Sequence, residues 1–118
     1  MTSAATAIEL LSIARFQQEL RRIARFSLPA PVVQPLEAAV REIEKNPAFA
    51  QSRLLTRVLT ALTYQRGEFR HAEIAAFDAG TLAMVINLMD AHAAGTSPPG
   101  DWVSAVKAAR VAEAGAGG

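Results

Sequence analysis

Residues 78–94 read DAGTLAMVINLMDAHAA, and this stretch decides the fold. Wound at 3.6 residues per turn, it sets Leu82, Ile86 and Met89 on one face. Met84, Val85 and Leu88 make a second face beside it, leaving Ala83, Asn87 and Asp90 as a polar wedge. So wide an apolar arc predicts a helix with neighbours on two sides, either central in a helical domain or in the seam of a dimer. Asp78 or Thr81 is placed to cap its start, and Gly95 to end it.

Working back from this helix, Glu68 to Phe77 carries Phe69, Ile74 and Phe77 and predicts a short helix. Asn46-Pro47 is a stop followed by a start, because proline needs no amide partner in a first helical turn. The next helix is expected over 47–66, with Leu54, Leu55, Val58, Leu59 and Leu62 inward. Arg53, Thr56, Arg57, Thr60 and Tyr64 lie opposite. Pro35 suits the start of a helix over 35–45, buried along Leu36, Ala39, Val40 and Ile43. Residues 27–35, SLPAPVVQP, form a connector whose prolines exclude the α region before them. Thr6 and Glu9 have capping-box spacing and open a predicted helix over 6–26, with Ile13, Phe16, Leu20, Ile23 and Ala24 as its apolar face.

Past Gly95, TSPPGD reads as a turn-rich joint. Asp101 can cap a last helix from Trp102 to about Glu113, with Val103, Val106 and Val111 inward and Trp102 as its anchor. The glycine-rich end, 114–118, is expected to be a flexible tail. Every break thus carries Pro, Gly or Asn. The expectation is an all-α chain, a small compact bundle of four to six helices forming one domain over 1–113, with 78–94 at its centre.

The 118 residues hold no cysteine, which excludes disulfides and thiol chemistry. No apolar run approaches the roughly 20 residues of a membrane span. Neither a secretory leader nor an import peptide is expected at the N-terminus, where Glu9 and Glu19 interrupt Arg15, Arg21, Arg22 and Arg25. These features together lead to the expectation of a cytoplasmic protein without membrane contact. A net charge of +1 implies neither nucleic acid nor an acidic membrane by itself.

Chemistry is sparse. The glycines make no phosphate-binding loop, and no serine sits in a strand-to-helix elbow. His71 and His92 lack metal-ligand spacing, so neither metal nor cofactor is expected. An enzyme is not expected either. Residues 70–89 have a helix-turn-helix cadence, which makes a small DNA-binding regulator the alternative reading. Its second helix, however, offers Thr81 and Asn87 to bases and no cation to phosphates. Arg53, Arg57, Thr60 and Tyr64, on one helical face, are candidates for contacting an acidic partner or phosphate. The leading expectation is a non-enzymatic interaction or self-association module. Leu82, Met84, Val85, Leu88 and Met89 supply its protein-binding face, in a homodimer or against another protein.

Overall fold

The computed structural model describes residues 10–24 and 34–117. In chain order they form β1 (Leu10–Ser12), α1 (Ile13–Ala24), α2 (Pro35–Lys45) and α3 (Ala50–Tyr64). There follow β2 (Glu68–Arg70), α4 (His71–Ala76), α5 (Ala79–Ala94) and α6 (Pro99–Gly117). The fold is all-α, a helical bundle with only a two-stranded ribbon beside it.

Asp78 caps α5 by accepting the Thr81 N–H at 2.7 Å. Gly95 ends it at φ 66°, a left-handed turn that a side chain resists, and its N–H returns to the carbonyls of Ala91 and His92. Between these caps α5 packs against α1, α2 and α3. Val85 and Leu88 are wholly enclosed, Ile86 and Met89 nearly so, and Leu82 and Met84 lie against the same core. Each large side chain removed from water in this way contributes roughly 1.5–3 kcal/mol. The second apolar strip, expected to reach another molecule, is covered by helices of the same chain. Three neighbours converge on α5 where one stripe would satisfy only one of them.

α6 crosses α2 and α3, burying Trp102, Ala105, Val106 and Ala109. Its alanines let the helix axes approach closely. Trp102 meets the His92 ring edge-on at 5.0 Å between centroids, joining the start of α6 to the end of α5. Beyond this junction α5 and α6 have little contact, while α2 packs on both.

Several boundaries differ from expectation. The helix expected over 6–26 begins only at Ile13, with Ser12 Oγ accepting the Arg15 N–H at 3.2 Å as its cap. The Thr6–Glu9 capping box and most of the connector over 27–35 lie outside the described residues. Leu10–Ser12 instead pairs antiparallel with Glu68–Arg70, in the register Leu11 to Phe69. Both of those residues point into the core, and the pairing takes the first turn from the helix predicted over 68–77. Pro47 lies in a turn before α3 rather than at its first position, and Phe49 precedes the helix. α6 starts at Pro99, so Asp101 is inside its first turn rather than at its cap, and the helix runs on to Gly117 through the expected tail. Val111, expected inward, is 72% exposed. No helix among the described residues is long and apolar enough to cross a membrane.

Candidate functional site

The slight contact between α5 and α6 leaves a groove of about 890 Å³ beside α2. From α2 it receives Pro35, Leu36, Glu37 and Val40, with Gln34 just before the helix. The last turns of α5 give Asn87, Asp90, Ala91 and Ala94. Thr96 and Ser97 close one end, and α6 presents Asp101, Ser104, Ala105 and Ala108. Leu36, Ala91 and Ala105 are buried, Val40 and Ala108 half-buried, so the floor is apolar and mostly of small side chains.

The mouth is acidic. Glu37, Asp90 and Asp101 are exposed on three different helices, and among the described residues no lysine or arginine lines the groove. Asp90 pairs with Arg21 at 2.8 Å, and Glu37 with Arg41 at 2.8 Å, both in solvent-exposed geometry. Asp101 makes no ion pair among the described residues. The backbone at the end of α5 is satisfied within the chain, since the Thr96 N–H and hydroxyl both donate to the Ala91 carbonyl.

The arginine face is arranged differently from expectation. Arg53 and Tyr64 do point outward from α3. Thr56, read as belonging with them, is buried and donates its hydroxyl to the Ser52 carbonyl. Thr60 donates in the same way to Thr56. Arg57 is spent on the fold. Its guanidinium donates to both Glu73 carboxylate oxygens and to the Glu68 carbonyl, and lies 4.9 Å from the Phe69 ring centroid. Arg53, Arg57, Thr60 and Tyr64 therefore share a helix side without forming a uniform cationic surface.

Among the described residues, two carboxyls have shifted affinity for protons. Burial pushes Glu73 up, but hydrogen bonds from the Arg57 side chain and the Arg70 N–H, with the charges of both arginines, bring it below its ordinary value. Glu19 is held low mainly by its hydrogen bond from Arg22, with His71 Nε2 3.7 Å away adding to the effect. These groups tie α4 and β2 to α3 and α1, and neither lines the groove.

No family model, curated protein or solved structure matches the chain. What it does must be read from its own surfaces. Among the described residues no three His, Asp or Glu side chains gather as a metal ion needs. α5, the second helix of the helix-turn-helix cadence, is enclosed by three neighbours, and Asp90 is the only charged side chain it exposes at that surface. The five α5 residues expected at a protein interface are core or lie against it.

The groove leaves only a partial signature in the sequence. Asn87 and Asp90, the two polar members of the wedge on an otherwise apolar helix, both line the groove. The turn-rich joint over 96–101 is where α5 and α6 separate. The remaining wall, from α2, is distant in sequence and gave no local sign.

Proposed function

We propose that this chain is a non-enzymatic helical interaction module that docks a protein segment in the groove between α2, α5 and α6. The groove itself carries the reading. It is open, apolar at its floor and polar at its rim, the pattern of recognition surfaces rather than of bulk protein surface. Its polar groups are carboxylates, hydroxyls and amides spread over three helices, the residue before α2 and the joint between α5 and α6; neither histidine lines it. Nothing there pairs a nucleophile with a base as covalent catalysis requires.

Self-association is a second form of the same reading, with another copy supplying the docked segment. It no longer draws support from the α5 strip, which the core uses. The lack of cysteine is compatible with a reducing compartment, and a cytoplasmic location is part of this proposal.

A photo-crosslinking residue at Ser104, in the groove, and another at Arg53, on the arginine face, test the site in living cells. Crosslinks to one protein from position 104 and not from 53 are expected. Crosslinks from 53 alone would move the interaction to the α3 surface and overturn the assignment.

A further inference from the structure

We infer that the segment docked in this groove is an amphipathic helix with cationic flanks. The inference rests on the interaction-module reading and specifies its partner.

The backbone of the occupant decides between helix and strand. Helices supply three walls of the groove, and among the described residues no sheet edge lines it. An extended peptide would find no ladder of N–H and C=O partners there, whereas a helix satisfies its own backbone before it arrives. The floor argues the same way. Ala91, Ala105 and Ala108 leave room for large apolar side chains from outside, and such anchors at i, i+3, i+4 and i+7 are how a helix fills a groove.

Charge decides the flanks. The N-terminal turns of α2 and α6 bring partial positive charge to the mouth, but Glu37 and Asp101 lie in those turns and oppose it. Asp90 lies in the last turns of α5, where the helix end is itself partly negative. The Arg21–Asp90 and Arg41–Glu37 pairs are exposed and therefore weak, so a docking cation can exchange for either arginine. Asp101 needs no such exchange. A lysine or arginine placed over Asp101 gains a partner, while an acidic flank meets the Asp101 carboxylate beside Glu37 and Asp90, which already hold their own arginines, and no lysine or arginine among the described residues lines the groove.

Three synthetic peptides test this, sharing one leucine face at i, i+3, i+4 and i+7 and differing only in flanks of lysine, glutamine or glutamate. Titrated against the full chain by fluorescence anisotropy, the lysine peptide should bind about tenfold or more tighter than the glutamate one, with a difference that shrinks as salt rises. Ser104→Trp, at an exposed position that blocks the groove, should abolish binding of the lysine peptide. Asp101→Lys should weaken it severalfold and improve the glutamate peptide. A circular dichroism melt of each variant separates lost binding from lost folding. Equal binding of all three peptides, blocked by Ser104→Trp, overturns the cationic partner and leaves the groove reading standing. Binding of none overturns both. A dimer in the wild type that Ser104→Trp converts to monomer gives the groove to a second copy, and also overturns the inference.

Discussion

Phe16 of α1 and Phe69 of β2 stack nearly parallel, with ring centroids 3.9 Å apart and planes 13° apart. Phe69 is also the ring over which Arg57 lies, and Leu11 faces it across the ribbon. One side chain thus joins α1, β1 and α3 around a single buried ring. Removing it leaves a cavity that three elements share, and such cavities close poorly because each wall is held by its own backbone.

Phe69→Ala is therefore expected to cost about 3–5 kcal/mol of unfolding free energy, near the total stability of a small domain. Phe49→Ala, at a position 62% exposed, should change stability by less than about 0.5 kcal/mol. Urea unfolding followed by circular dichroism compares them. Similar values for the two would show that the stacked ring does not organise this end of the fold.

The two arginines of α3 should separate in the same assay. Arg57→Ala removes charge-assisted hydrogen bonds to Glu73 and leaves that half-buried carboxylate without its main cation, an expected loss of about 1–3 kcal/mol. Arg53→Ala removes an exposed side chain and should stay within about 0.5 kcal/mol. Were both substitutions silent, the Arg57 contacts would contribute nothing to folding, and the face would again be open to a binding role.

Glu73 makes a further prediction in pH. Its folded carboxyl holds protons less tightly than the ordinary value of 4.5, so the unfolded chain takes up the proton first as pH falls. The stability it contributes is fully present above about 4.5 and is lost as pH falls through its lower folded value. Glu73→Gln should flatten that part of the stability profile while lowering the neutral plateau. Melting temperatures across an acid series measure both effects. A wild-type acid slope identical to that of the variant would remove Glu73 as a source.

Which features were legible in sequence follows from how local their causes are. α2 and α5 match their expected spans closely, because Pro35, Asp78 and Gly95 act within a turn of the residues they punctuate. Phe69 was expected on a helix and lies on a strand, since its pairing partner Leu11 is far away in the chain and the ribbon exists only once both are buried. Gln51 shows the same limit. Its side chain donates to the Ala76 carbonyl and accepts the Asp78 N–H, fastening α3 to the α4–α5 corner, yet nothing around position 51 announces this. The groove is harder still, being made by the separation of α5 from α6 beside a third helix. Periodicity reports that a face is apolar, and says nothing of whether the covering surface comes from the same chain.

That last distinction gives the strongest test of α5. Val85 and Leu88, expected at a surface between molecules, are enclosed by α1, α2 and α3. Leu88→Glu would place a carboxylate where no cation or water can reach it, and the cost of burying an unpaired charge exceeds what a domain of this size can absorb. The expected product is an unfolded or molten chain, with lost near-ultraviolet circular dichroism and binding of a hydrophobic dye. Leu88→Ala gives a graded version, costing about 2–5 kcal/mol while leaving a folded core. If the strip instead joined two copies, Leu88→Glu would give a folded monomer of half the wild-type mass. Sedimentation of the wild type and both variants over a concentration series separates the cases: a folded, cooperative Leu88→Glu monomer would return α5 to the surface and undo the central position assigned to it.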